Sequence, residues 1–258
     1  MVPRYHLRGS WYVSAMLSQI SSRVRRLLRE VLLFTGRGTL WCSQHIYRTP
    51  YEVEMLAREK REQAWYAARG DQTLRLDYDL GPQSVVYDVG GYEGNFAADI
   101  LCLFGCRVEV FEPIPDFFDM IEVRFRRNPQ IGRHRFGLSA VDETALMTLE
   151  RGLSSAVIVD EVPATEPVSL RDIVGVFDEL GHDRVDLMKI NIEGGEYDLF
   201  DRMIACDITR RVTHFQIQFH LHVPDAQVRM ERITAALEQT HELKWRYPWV
   251  WESWTLRA

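Results

Sequence analysis

Cysteine is scarce in this chain. Its 258 residues hold four, Cys42, Cys102, Cys106 and Cys206, with neither the paired spacing of a zinc site nor a disulfide framework. That excludes a small cystine-stapled secreted scaffold and points to a reducing, cytoplasmic setting. No apolar run approaches the roughly 20 residues of a membrane span, and the N-terminus lacks the continuous apolar core of a signal peptide, so neither an integral membrane protein nor a secreted precursor is expected. Positive charge is not in excess either. The net charge is -6, which leaves no electrostatic footprint for a nucleic-acid partner. Internal repeats and low-complexity stretches are absent. What remains is a chain with 46% hydrophobic residues, enough for a full core, read as one domain with an N-terminal extension.

The stretch that organises the chain is Val85 to Gly94, Val-Val-Tyr-Asp-Val-Gly-Gly-Tyr-Glu-Gly. Val85, Val86, Tyr87 and Val89 suit a strand buried on both faces, and Phe96, Ile100, Leu101 and Phe104 recur at helical spacing after it. The pattern is therefore a buried strand turning sharply into a helix. Free amides at the start of that helix suit carboxylate or phosphate guests. Gly90 and Gly91 are adjacent and the next glycine is Gly94, so the G-x-G-x-x-G of dinucleotide binding is missing. This disfavours a nucleotide-sugar dehydrogenase or epimerase. The spacing resembles instead the first motif of class I S-adenosylmethionine (SAM) methyltransferases, although a plain tight connection would look the same. One unit later, Arg107 to Phe111 ends in Glu112-Pro113. A carboxylate at the end of the second strand of a doubly wound sheet can accept both hydroxyls of a ribose. It can equally favour the start of the helix from Asp116 to Arg127 through the helix dipole.

A third signal is the strand Val185 to Ile192. Lys189, Asn191 and Glu193 alternate with Met188, Ile190 and Ile192, and Gly194-Gly195 follows. Polar groups on one face of a central strand predict that its carboxyl end opens into a ligand crevice, as open α/β sheets do; a half-exposed edge strand gives the same alternation. A fourth strand, Thr213 to Leu221, sets Gln216, Gln218 and His220 opposite Phe215, Ile217 and Phe219. A helix from Asp225 to Gln239 precedes a terminal hairpin, Glu242 to Tyr247 and Trp251 to Leu256. Its Trp245, Tyr247, Trp249 and Trp251 read as cross-strand packing before sugar stacking. Between these signals, a strand is expected near His134 to Ala140, a hairpin addition over Asp142 to Glu150, a loop from Gly152 to Pro167 and a helix from Ser169 to about Leu180. Upstream, Arg23, Arg25, Arg26 and Arg29 interleave with apolar residues as a basic amphipathic helix. Docking on the domain is favoured for it over a membrane surface. A second helix is expected from Pro50 to about Ala68, and a short strand from Asp71 to Leu80.

Taken together, Val-Tyr-Asp-Val-Gly-Gly-Tyr-Glu-Gly-Asn-Phe at Val86, Val-Phe-Glu-Pro at Val110, Gly137-Leu138-Ser139-Ala140 and Asp-Leu-Met-Lys-Ile-Asn-Ile-Glu-Gly-Gly-Glu at Asp186 resemble the FkbM family of methyltransferases, over about Leu74 to His220. The resemblance implies a Rossmann-like class I methyltransferase fold: a mostly parallel seven-stranded sheet, helices on both faces and a C-terminal antiparallel hairpin. The methyltransferase domain would span residues 71–258, after a helical extension of residues 1–70. It implies SAM as cofactor, contacted by Asp88, Gly90, Gly91, Tyr92, Gly94, Asn95 and Phe96 at the first turn, by Glu112 and Pro113 at the second, and by Ser139 and Asn191. It also implies O-methylation of a hydroxyl on a small-molecule or glycan acceptor, a sugar or a secondary metabolite. Asn191 stands where the family usually has aspartate, and Gly91 where it usually has alanine. A catalytically inactive SAM- or nucleotide-binding partner subunit is the alternative.

Methyl transfer to a hydroxyl is an in-line displacement, for which positioning supplies much of the rate. A base within hydrogen-bond reach of the hydroxyl completes it, and a neutral imidazole suits neutral pH. His220 is the first candidate and Glu193 the second, with Lys189 holding a carboxylate or substrate oxygen in place. The pair His220 and His222 could chelate an ion, but no metal requirement is expected, since Asn191 replaces the likeliest carboxylate ligand.

Overall fold

The computed structural model describes residues 50–148 and 165–258. The basic segment expected around Arg23 to Arg29 and most of the loop expected over 152–167 lie outside the described residues.

Seven strands form the main sheet. β1 (Val85–Val89), β2 (Arg107–Phe111), β3 (Ile131–His134), β7 (Val185–Ile190) and β8 (Val212–Ile217) run parallel, and β9 (His241–Tyr247) and β10 (Trp251–Leu256) close it in the order β3-β2-β1-β7-β8-β10-β9. β10 runs antiparallel to both of its neighbours, β8 and β9. Strand order reverses between β1 and β7, the switch point at which open α/β sheets receive ligands. The polar face of β7 therefore belongs to a central strand opening on the crevice, and the edge-strand alternative is ruled out.

The alternation along each strand divides the core. Tyr87, Val89, Phe111, Met188, Ile190, Phe215 and Ile217 face α4 (Ile173–Leu180), α5 (Glu196–Ala205) and α6 (Ala226–Leu237) in one cluster. Val86, Val108, Val110 and Leu187 face α2 (Asn95–Phe104) and α3 (Pro115–Phe125) in the other. Leu76, Tyr78 and Leu80 extend this second layer. The segment from Asp71 to Leu80 is thus no strand: it contains two 3-10 turns, Gly70–Gln72 and Leu74–Leu76. Its alternate apolar residues lie on the face of the sheet, which calls for the same period of two as edge pairing. Before it, α1 (Pro50–Ala67) brings Trp65 against Val250 and Trp251, with its ring 5.6 Å from Trp245 and 5.2 Å from Tyr247. The aromatic hairpin packs as expected.

A second sheet holds β4 (Gly137–Ser139), β5 (Glu143–Thr148) and β6 (Thr165–Asp172) in the order β4-β6-β5. The single strand expected over His134 to Ala140 is accordingly two pieces in two sheets. The hairpin expected within Asp142 to Glu150 is instead one strand, β5, and its antiparallel partner β6 begins at Thr165, inside the stretch expected to be a loop up to Pro167. The helix expected from Ser169 starts only at Ile173: the Asp172 carboxylate accepts from Val174 N and caps it, while Ser169 to Asp172 remain strand.

Candidate active site

Asp88 is completely buried next to the last residue of β1. Its partner in the β1–β7 register is Lys189, and two directly paired residues of parallel strands share a face. Lys189 Nζ donates to Asp88 Oδ1 at 2.9 Å and to the Gly90 carbonyl at 2.6 Å. Burial pushes the Lys189 pKa down against the pull of Asp88. Lys189 thus holds a carboxylate of the chain itself and ties β1 to the glycine turn. Next in the row, Gln216 of β8 accepts from Arg75 Nε at 2.8 Å and donates to Tyr78 Oη, which meets Ser253 Oγ of β10 at 3.0 Å. Arg75 also lies over the rings of Trp251, 4.2 Å away, and Phe96, 5.2 Å away. This polar row seats residues 75–78 across the sheet. The sequence reading missed Arg75, although the polar face of β8 was its visible half.

The glycine turn is shaped by its neighbour. Gly90 has φ +84°, and a Cβ there would stand 2.0 Å from the Asn191 carbonyl, so the close approach of the β7 turn demands glycine before any ligand does. Asn191 N donates to Val89 O at 3.1 Å. Gly91 and Gly94 are buried against Val110 and Phe125. Glu112 closes the turn from β2: Oε2 accepts from Tyr92 N at 2.8 Å and Oε1 from Ile114 N at 2.9 Å. Burial raises its pKa in spite of these amides. Tyr92 is half exposed, with its ring 4.4 Å from Phe117. Asn95 turns outward to take a hydrogen bond from Arg124 at 2.7 Å. Pro113 lies beside Gly137, and Ser139 ends the same short strand, β4. Among the described buried side chains, Asp88 Oδ2 and Asn191 Oδ1 are oxygen acceptors left without a partner.

The second half of the site is the turn after β7. The strand ends at Ile190, so Glu193 belongs to the turn, with φ +51° and a side chain 78% exposed. It nonetheless meets His220, whose Nε2 stands 3.5 Å from Glu193 Oε2. The two carboxyl-end residues do share one rim. A third group, Glu196, is there as well. Fully buried at the start of α5, it accepts from Gly194 N at 2.8 Å, from His220 N at 2.8 Å, and lies 3.1 Å from His220 Nδ1. Burial opposes charge on the imidazole, but Glu193 and Glu196 outweigh it and push its pKa up to about 9. The expectation of a neutral imidazole at pH 7 is corrected accordingly. Glu196 was visible as the last residue of the motif beginning at Asp186, but nothing in the spacing gave it a role. His222 Nε2 contacts the Glu193 carbonyl at 3.1 Å. Among the described residues, no group of three or more histidine, cysteine or acidic side chains is arranged to hold a metal ion.

A model of the methyltransferase FkbM domain matches residues 88–242, more than half of the chain and all of both turns. The chain belongs to the FkbM methyltransferase family. Solved structures resemble the chain only at low identity. One is a precorrin-6y C5,15-methyltransferase from Geobacter metallireducens GS-15, 11% identical over 71% of this chain and 84% of that one, TM-score 0.39. Another is a methyltransferase from Pyrococcus furiosus, 11% identical over 71% and 79%, TM-score 0.37. The 23S rRNA methyltransferase ErmE is 12% identical over 71% and 66%, TM-score 0.40. No curated protein matches the chain in sequence. The assignment rests on the domain match, and within this FkbM methyltransferase the two turns after β1 and β7 form the candidate site.

Proposed function

We propose that this FkbM methyltransferase uses SAM to methylate a hydroxyl oxygen of a sugar, glycan or secondary metabolite. The observation that carries the cofactor is the pair of buried, unpartnered oxygens, Asp88 Oδ2 and Asn191 Oδ1, beside the glycine turn. Buried acceptors without donors are costly, and an ammonium group supplies donors and compensating charge together. The α-amino group of SAM suits them. Glu112 uses two of about four acceptor positions on backbone amides, which leaves capacity for the two hydroxyls of a ribose. When bound, SAM supplies an electrophilic methyl on a sulfonium. The chain's own part is to hold and orient it: Asp88 is fixed by Lys189, Glu112 by the turn it closes, and Phe96 is buried behind that turn.

The acceptor would lie over the rim that bears Glu193 and His220. A net charge of -6 supports a small-molecule or glycan acceptor over nucleic acid. Free Cys102, Cys106 and Cys206 support a reducing, cytoplasmic setting. No described helix is long and apolar enough to cross a membrane. Residues 1–70 are proposed to act as a docking or lid extension of the 71–258 domain. Asn191, where the family usually has aspartate, favours the alternative of an inactive SAM-binding subunit. Incubation of lysate metabolites with the protein and labelled SAM decides between them. A product heavier by one methyl group supports the enzyme; SAM binding by calorimetry without any product supports the subunit.

A further inference from the structure

Both ring nitrogens of His220 face carboxylates: Nδ1 stands 3.1 Å from Glu196 Oε1, and Nε2 stands 3.5 Å from Glu193 Oε2. The Glu196 contact is a hydrogen bond and the Glu193 contact an ion-pair distance; carboxylates on both sides of the ring favour the doubly protonated form, which carries an N–H toward each and the opposite charge. The two partners differ. Glu196 is completely buried and already takes the backbone amides of Gly194 and His220, so both of its oxygens are fixed. Glu193 is 78% exposed and reaches the ring over the longer distance. The other titratable groups near the ring are His222, with its centroid 5.6 Å away, and Tyr197, whose Oη donates to the His220 carbonyl. Neither is hydrogen-bonded to a ring nitrogen of His220.

We propose that, in the methyl transfer argued above and resting on that reading, Glu193 takes the acceptor's proton, while Glu196 acts as a positioning residue that fixes His220 as the cation steering Glu193. An imidazolium has no free lone pair, and Glu196 has neither exposure nor slack. Glu193 has a carboxylate oxygen that can turn from Nε2 to a hydroxyl at the rim. In the step, the acceptor oxygen forms its bond to the methyl carbon as the methyl–sulfur bond breaks, with that pair remaining on sulfur. The O–H bond breaks with its pair remaining on oxygen, and the proton passes to Glu193.

The first test needs no substrate. Nitrogen NMR of the histidine rings in the free protein, with His220→Gln giving the assignment, should find both His220 nitrogens protonated at pH 7 and titration near pH 9. Glu196→Gln should lower that midpoint by at least about one unit, a tenfold change. A neutral ring at pH 7 in the native protein, or a midpoint indifferent to Glu196→Gln, overturns the positioning role. The second test uses labelled SAM with lysate metabolites as the acceptor probe. Activity should fall as pH rises through about 9, because the steering cation is lost; a histidine base would make it rise there. Glu193→Gln should lower turnover by about 10²- to 10⁴-fold with SAM affinity unchanged, and Glu193→Asp should restore part of it. Native turnover in Glu193→Gln overturns the proton-acceptor role. If the native protein methylates nothing, the methyl-transfer reading fails and Glu193 loses its role with it, while the NMR result still decides the state of His220. Should Glu196→Gln not fold, the native titration and the Glu193 variants decide the matter.

Discussion

The turn after β1 and the turn after β7 each end a central parallel strand in two adjacent glycines, and Asn191 N joins them by donating to Val89 O. Around the first, charge is sealed in: Asp88 and Lys189 are buried as a pair, and Glu112 is anchored by the amides of Tyr92 and Ile114. Around the second, charge is left adjustable, with one carboxylate buried, one exposed, and an imidazole between them. A site that must hold a cofactor in one pose benefits from the former, and a site that must move a proton from the latter. The variants that follow break one turn and leave the other as its control.

The largest effect belongs to the sealed turn. Lys189→Met would leave the Asp88 carboxylate buried with neither oxygen paired, and breaking a buried pair from one side typically costs about 3 to 5 kcal/mol. Urea unfolding should show that loss. Adding Asp88→Asn should recover much of it, since two uncharged partners need no mutual compensation. A single variant as stable as the native protein would show that the pair is not charged in the folded state.

The adjustable turn shows itself in pH. Because the folded-state pKa of His220 is raised from 6.5 to about 9, its contribution to stability is fully present below about pH 6.5 and is lost as pH rises through about 9. A shift of that size corresponds to about 3.5 kcal/mol at most, from about 1.4 kcal/mol per unit. The stability gap between the native protein and His220→Gln should therefore narrow between pH 6 and 10. A gap that stays constant would mean that the ring gains no proton on folding.

Cofactor binding separates the turns from a third direction. Glu112→Ala should weaken SAM binding by about 1.5 to 3 kcal/mol, the range for a hydrogen-bonded charged group. Glu196→Gln should leave it unchanged. Calorimetry reads both. Equal losses in the two variants would mean that the turns form one binding surface and that their division of labour is wrong.

The contrast between the turns was half legible in the sequence. Strands β1, β2, β7 and β8 and the terminal hairpin stood out because burial on two faces and pairing at an edge impose composition and period directly. The meeting of Glu193 with His220 followed from placing β7 beside β8. The pairing of Lys189 with Asp88 did not, because it depends on the register between strands 101 residues apart, which no local pattern encodes. Glu196 stayed silent for a related reason. Its direction is set by Glu193 and Gly194, both at positive φ, and such a turn carries a helix residue back toward the strand end. The segment from Asp71 to Leu80 misled in the opposite sense, since lying across a sheet and pairing at its edge share one period.

The smallest effect separates the twin glycines of the second turn. Gly194 has φ +104°, a region that side chains avoid, and a Cβ there would meet Val223 at 2.5 Å and His222 at 3.3 Å. Gly195 has φ -72° at the helix start, and the nearest atom to a Cβ is the flexible end of Ile192 at 3.3 Å. Gly194→Ala should destabilise by about 1 to 3 kcal/mol, the usual cost of a strained backbone conformation. It should also move the His220 titration, because Gly194 N is one of the donors that hold Glu196. Gly195→Ala should be neutral or stabilising by up to about 1 kcal/mol, since alanine restricts the unfolded chain without opposing this conformation. The difference turns on backbone angle at two neighbouring residues of the same type, so thermal unfolding of the two variants side by side isolates it. If both lose stability equally, crowding at the turn governs the effect and its left-handed geometry does not. The placement of Glu196 would then have to be explained by packing of α5 alone.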